Sequence, residues 1–394
     1  MKKVLSLILV ISIIFICSIP VCAENKTKNA AEVNLGLEFK PNENSFSAYL
    51  CEASTGKVLY ANNEFASASP ASVTKIMTLL LVMEALDSGK FSLEDKVTVS
   101  AKAASMGGSQ VFLEEGERIT VEELIKSAVI ASGNDASVAL AELTAGSETA
   151  FVKLMNSRAS ELGLKNSCFE NTTGLDDTTV NHYTCAADIA KMSRELIKHD
   201  LILEYSSLWQ DTIRNGEFTL TNTNRLVRYY EGCNGLKTGS TDKAGYCISA
   251  TAKRGNMQLI AVVMGAESRD SRNLIARELL DYGFANYALY ERGEVFIENA
   301  SILGGVKDSV PLYSDAFSLV VDKASLPKIE LVYDIPEFVS APFNKGDPVG
   351  RVVYKIGDEQ IGESFIFVSE SIEKIGFSEL LLRMLKRMVI GQKI

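Results

Sequence analysis

Strand-like runs stand at both ends of a long helical stretch, and no other feature constrains the fold as much. Residues 47–53 and 57–60 flank Ser54-Thr55-Gly56, a hairpin signal. Residues 245–251 and 258–264 repeat the β-rich pattern far downstream. Between them, apolar residues recur with helical period over 121–132, 136–143, 148–162 and 186–198, and 272–282 reads as a closing helix. Strands from two ends of a segment with helices between them predict one sheet with helices packed on it. This is an α/β (α+β) domain, placed at 43–290.

After Gly293 the pattern changes. Short alternating runs at 317–321, 329–332, 349–355 and 363–368 are separated by Gly, Pro, Asp and Asn. They predict a small all-β, sandwich-like domain over 293–370. The tail changes again. Phe377, Leu380, Leu381, Met384, Leu385 and Met388 form an apolar stripe with helical spacing, while Ser378, Arg383, Lys386 and Arg387 lie off it. The charges are too central for a bilayer span. The expectation for 375–394 is an amphipathic helix lying in a membrane interface. The alternative is a helix packed on the β-domain.

The N-terminus has the layout of a secretory signal over 1–23. Lys2 and Lys3 precede an apolar run, and Val21-Cys22-Ala23 fits a cleavage site. An uncleaved anchor and a lipid-modified Cys22 are the alternatives, the second fitting poorly with Ile19-Pro20-Val21 before it. Residues 24–42 are polar and read as an exposed lead-in.

The chain has 394 residues, 46% of them hydrophobic and 23% charged, as in ordinary globular proteins. A net charge of −10 without a long basic block argues against nucleic acid as a partner. Past the signal, Cys51, Cys168, Cys185, Cys233 and Cys247 are odd in number and irregular in spacing. Free buried thiols are expected, with one disulfide left open. His182 and His199 are too few and too far apart for a zinc site, so no metal and no cofactor is expected. A Ser-His-Asp triad is disfavoured for the same reason.

Three short motifs carry the chemistry. Ser72-Val73-Thr74-Lys75 follows Pro70 and precedes a long apolar run, which predicts a helix starting near Pro70 with Ser72 and Lys75 on one face. Ser132-Gly133-Asn134 ends a helical run. Lys237-Thr238-Gly239 precedes a predicted strand. Each is weak alone. Their order and their spacings of about sixty and about one hundred residues make coincidence a poor account.

Residue type assigns roles. The Ser72 hydroxyl needs a base to become a nucleophile. Lys75 is that base if burial and a nearby cation, Lys237, keep it neutral. Ser132 can relay a proton to the leaving amine. Asn134 offers a donor and an acceptor to a peptide and can bond to Lys75. Gly239 lets a substrate backbone approach the strand edge. The backbone N–H groups of Ser72 and Ser240 are candidates for an oxyanion hole.

The motifs resemble those of serine D-alanyl-D-alanine carboxypeptidases, the low-molecular-mass penicillin-binding proteins. The resemblance extends over residues 71–78, 132–136, 171–175 and 235–246, and on to His182 and Asp188. It implies the β-lactamase-like transpeptidase fold of penicillin-recognising hydrolases, with a β-rich second domain and an amphipathic C-terminal anchor. It implies removal of the terminal D-alanine from peptidoglycan stem pentapeptides through an acyl-enzyme, with β-lactams as covalent inhibitors. It places the enzyme outside the cytoplasm, on the membrane surface. By resemblance Ser72, Lys75 and Ser132 are catalytic. Lys237, Asn134, Thr238, Ser240 and Arg272 bind substrate, with Arg272 on the terminal carboxylate, Arg269 its competitor and Arg225 adding positive potential. Ser240 stands where many members have histidine, a change that leaves the backbone N–H in place.

Two rivals remain open at this level. A class A β-lactamase needs a carboxylate for deacylation on a Glu-x-x-Leu-Asn segment. The nearest text, residues 161–166, has the wrong spacing. A non-catalytic cell-wall-binding protein would have no use for all of Ser72, Lys75, Ser132 and Lys237.

Overall fold

The structure, a computed structural model, describes residues 39–390 except Glu43 and Thr178. The expected signal at 1–23, most of the expected lead-in and residues 391–394 lie outside the described residues.

Strand Met257–Ala266 sits at the centre of a five-stranded antiparallel sheet. The order is Val58–Asn62, Ser47–Glu52, Met257–Ala266, Gly245–Arg254, Cys233–Thr241. Its side chains alternate between two cores, as the period of a strand requires. Ile260, Val262 and Met264 join one, while Leu259, Ala261 and Val263 join the other. Both faces are covered, so the strand reads as one continuous apolar run. Helix Arg269–Asn286 covers the second face through Ile275, Ala276, Leu279 and Leu280. Helix Lys75–Asp87 lies in the first core, packed on helices Asn134–Ala145 and Ala186–Leu196. Its Ile76, Met77, Leu79, Leu80, Val82 and Met83 are all buried, so it shows no single apolar stripe.

Three local features differ from the sequence expectations. The helix after Pro70 starts later: Ala71–Thr74 is a 3-10 turn, and α-helix begins at Lys75. Ala71, at φ +49°, breaks the helical path there. Lys237-Thr238-Gly239 lies inside strand Cys233–Thr241 rather than ahead of one. That strand is an edge of its sheet. A hairpin of Gln210–Ile213 and Phe218–Thr221 was also missed. Its turn passes through Arg214, Asn215 and Gly216, all at positive φ, and Asn-Gly was the legible signal.

The C-terminal region is all-β up to its last helix. A six-stranded sheet runs in the order Ile329–Asp334, Pro348–Ile356, Glu359–Val368, Ser309–Ser314, Val295–Leu303, Phe338–Ser340. A ribbon of Tyr287–Arg292 and Phe317–Asp322 packs on it through the buried Tyr354. The Tyr354 ring stacks on Phe317 at 3.9 Å and meets Tyr290 edge-on at 5.8 Å. Val310, Leu312, Val352, Ile366 and Val368 form its separate core. Helix Phe377–Ile390 follows. All five described cysteines are free thiols.

Candidate active site

Ser72 sits on the 3-10 turn, held where two neighbours permit. A side chain at Gly239 would place its Cβ 2.7 Å from Ser72 N and 2.9 Å from both Pro70 O and Val73 N. Strand and turn therefore touch backbone to backbone, and glycine is what allows it. His182 supports the turn from below. Its Nδ1 accepts from the Glu170 N–H at 3.0 Å, so the ring proton is on Nε2, which lies 2.8 Å from Thr74 Oγ1. Burial lowers the His182 pKa to about 4. Both ring nitrogens are occupied, and neither is Ser72's base. His199 is bound instead to Asp87, at 2.6 Å.

Lys75 is fully buried, with Nζ 3.0 Å from Ser72 Oγ, 2.6 Å from Asn134 Oδ1 and 3.0 Å from the Thr173 carbonyl oxygen. The Asn134 amide cannot be reversed, because its Nδ2 donates to the Gly107 carbonyl at 2.6 Å. Two of Lys75's neighbours therefore only accept. A neutral amine has two N–H groups for them, which leaves its lone pair facing the Ser72 hydroxyl. Burial, and then the charge of Lys237, hold the Lys75 pKa well below its ordinary value, with Asp135 opposing.

Ser132 lies at φ +64° between helices Val121–Val129 and Asn134–Ala145. A serine in the left-handed region costs energy and is held there by its surroundings. Lys237 Nζ donates to Ser132 Oγ and to the Thr238 carbonyl, both at 2.9 Å. Burial, then the nearby Arg272, lower the Lys237 pKa to about 7. Thr238 Oγ1 donates to Thr223 Oγ1 at 2.8 Å.

These groups meet at a cleft of about 430 Å³, lined in part by Ser72, Ser132, Thr238, Gly239 and Ser240. Lys75, Asn134 and Lys237 are buried just behind it. Arg272 lines the cleft although 3% exposed. Its Nε and Nη2 donate to Asn273 Oδ1 at 3.1 and 2.9 Å. Arg225 and Arg269 line it too, so all three arginines read from the sequence converge.

Sequence reasoning missed Ser109, Trp209, Thr221, Asn222 and Thr223 as lining residues, and the Thr173 carbonyl as a partner of Lys75. It also missed Asp176, whose Oδ2 accepts from Ser69 Oγ at 3.2 Å and Thr241 Oγ1 at 2.5 Å, tying the nucleophile turn to the edge strand.

A family profile for D-alanyl-D-alanine carboxypeptidases matches residues 37–268, and one for the C-terminal domain of penicillin-binding protein 5 matches 284–374. The chain is 45% identical over 345 residues to the D-alanyl-D-alanine carboxypeptidase DacF of Bacillus subtilis, covering 86% of this chain and 88% of that protein. Penicillin-binding protein 5 from Haemophilus influenzae superposes with a TM-score of 0.75 at 31% identity, covering 85% of this chain and 99% of that one. Penicillin-binding protein D2 from Listeria monocytogenes, in an ampicillin-bound form, matches with a TM-score of 0.57 at 30% identity over 61% of this chain and 97% of that one. By site, fold and likeness along most of its length, this chain belongs to the D-alanyl-D-alanine carboxypeptidase family.

Proposed function

We propose that this serine-type D-alanyl-D-alanine carboxypeptidase works through an acyl-enzyme on Ser72, with Lys75 as the neutral base. The observation that carries this reading is the environment of Lys75 Nζ, where two carbonyl oxygens take its N–H groups and Ser72 Oγ faces what remains. A stem pentapeptide lies along the edge strand Cys233–Thr241, adding its backbone to the sheet. The Ser72 and Ser240 N–H groups receive the oxyanion. Lys75 takes the Ser72 proton as Oγ attacks the penultimate D-alanine carbonyl. Ser132, bonded to Lys237, passes a proton to the departing amine. Arg272 and Thr238 hold the terminal carboxylate, a task suited to a guanidinium. Asn134 acts mainly on Lys75, since its amide is engaged on both sides.

No aspartate or glutamate lines the cleft among the described residues. This supports slow release of an acylated penicillin, and penicillins are then covalent inhibitors rather than substrates. Glu161, the nearest sequence candidate for a β-lactamase base, pairs with Arg158 instead. The deciding experiment is mass spectrometry after penicillin labelling. One adduct on the peptide carrying Ser72, absent in Ser72→Ala together with D-alanine release, is expected. An adduct elsewhere, or D-alanine release by Ser72→Ala, would sink the assignment.

The same reading places the enzyme outside the cytoplasm, delivered by the signal at 1–23 and held on the membrane surface by the C-terminal helix. Among the described residues no helix is long and apolar enough to cross a membrane. Phe377 is 80% and Met388 73% exposed, with Leu381, Leu382 and Leu385 also open. Arg383 tethers the helix to the β-region through the Gly305 and Val306 carbonyls and Asp308. An exposed apolar face on a tethered helix suits insertion at an interface. Deleting residues 375–394 should release the mature protein from membranes with activity intact. Unchanged association would refute the anchor.

A further inference from the structure

The cleft lining carries three arginines and, among the described residues, no acid. Arg225, Arg269 and Arg272 line it and lie close enough for the first two to act on the charge of the third. Arg272 is buried, and its pKa falls to about 10 through burial first, then Arg269, with Arg225 acting in the same direction. Arg225 and Arg269 are exposed, and neither carries an ion pair among the described residues. Arg269 is also the first residue of helix Arg269–Asn286. Asp270, beside it in the first turn, is the acid a helix N-terminus favours, and no ion pair joins it to Arg269 among the described residues. One substrate carboxylate satisfies Arg272 and leaves two guanidinium groups facing the same space.

We propose that these arginines form a two-anion subsite: Arg272 takes the terminal carboxylate, and Arg225 with Arg269 take a second acid group on the departing residue. The inference rests on the acyl-enzyme reading above. It makes the enzyme selective among leaving residues, with D-glutamate released in preference to the isosteric, uncharged D-glutamine. The chemistry is unchanged. Ser72 Oγ bonds to the penultimate carbonyl carbon, the amide C–N bond breaks, the departing nitrogen gains a proton, and water later hydrolyses the ester. Because Arg225 and Arg269 are exposed, the preference is modest and falls with salt.

The test uses three otherwise identical peptides ending in D-Ala-D-Ala, D-Ala-D-Glu and D-Ala-D-Gln, with the released amino acid measured. At about 20 mM salt, kcat/KM for the D-Glu peptide should exceed that for D-Gln by about three- to tenfold, and the ratio should fall towards one at about 500 mM. Arg225→Gln and Arg269→Gln should each reduce that ratio, while Arg225→Lys, which keeps the charge, should preserve it. Equal or slower release of D-Glu at low salt overturns the subsite, as does a ratio indifferent to both glutamine substitutions. Absence of D-alanine release from the D-Ala-D-Ala peptide overturns the carboxypeptidase reading, and this inference with it.

Discussion

Lys75 Nζ lies 3.0 Å from the carbonyl oxygen of Thr173, 98 positions further along the chain. This contact and the one to Asn134 fix both N–H groups of a neutral lysine, and so decide where its lone pair points. The Thr173 carbonyl is itself held. Asn171 Oδ1 accepts from the Thr173 and Gly174 N–H groups at 3.1 and 2.7 Å, and Thr78 Oγ1 donates to the Thr172 carbonyl at 2.7 Å.

The first prediction concerns Gly174. It has a φ of +83°, and a Cβ there would fall 1.7 Å from the Ala71 carbonyl oxygen. Gly174→Ala must therefore push the 171–175 turn away from the nucleophile turn. Misplacing the Lys75 anchor by about an ångström should slow acylation of Ser72 by about a hundredfold. The rate of penicillin adduct formation measures this. A rate close to that of the unsubstituted protein would show that the Thr173 carbonyl has no part in aiming Lys75.

The pH profile follows from the two lysines. Lys237, with a pKa brought to about 7, is a cation below that value and loses its charge above it. Lys75, whose pKa is also lowered, becomes a usable base once pH rises past its own value. The profile of kcat/KM, which reports the free enzyme, should rise with Lys75 and fall above about pH 7 with Lys237. Lys237→Arg keeps its charge at all these pH values and should move the falling limb upward. A falling limb that stays in place in this variant would assign it to another group.

Arg214 sits in the turn of the hairpin Gln210–Ile213 and Phe218–Thr221, which supplies Thr221 to the cleft. It is a non-glycine residue at φ +54°, and four of its five guanidinium N–H groups are engaged. Nε and Nη2 donate to Glu117 at 2.7 and 3.0 Å, while Nη1 and Nη2 donate to the Val111 and Phe112 carbonyls at 2.9 and 3.0 Å. The hairpin bearing Arg214 thus grips the loop that supplies Ser109. Arg214→Gln should lower stability by about 1.5–3 kcal/mol, read from urea unfolding. The Arg214 hydrogen bond, first among the causes, holds the Glu117 pKa below its ordinary value. That stability is present above the unfolded carboxylate pKa and is lost as pH falls through the folded one, so the variant's deficit should shrink in acid. A deficit that does not change with pH would assign the loss to the carbonyl contacts alone.

Much of this site was legible before folding. Ser72 and Lys75 are three apart, and a helical turn of either kind brings them together. Ser132, Asn134 and Lys237 are named from residue type and order, and the three arginines from the family resemblance. The Trp209–Thr223 wall was not, because its residues have no chemistry of their own to advertise and acquire a role only by what they face. The Asn215-Gly216 turn is a hairpin signal legible in the sequence. The two short misreadings share a cause. A 3-10 turn in place of the first helical turn, and a strand beginning at Cys233, both reflect contacts made across the chain.

The sequence by itself determined the α/β and all-β parts, because apolar period is a local property that each segment carries alone. It also determined which side chains could do chemistry. Only the tertiary structure decided what those side chains are. Asn134 and Thr173, 59 and 98 positions away, accept hydrogen bonds from Lys75, and Lys237 meets Ser132 across 105 positions. Burial and neighbouring charge set a pKa, and both are properties of the packed chain rather than of any residue in it.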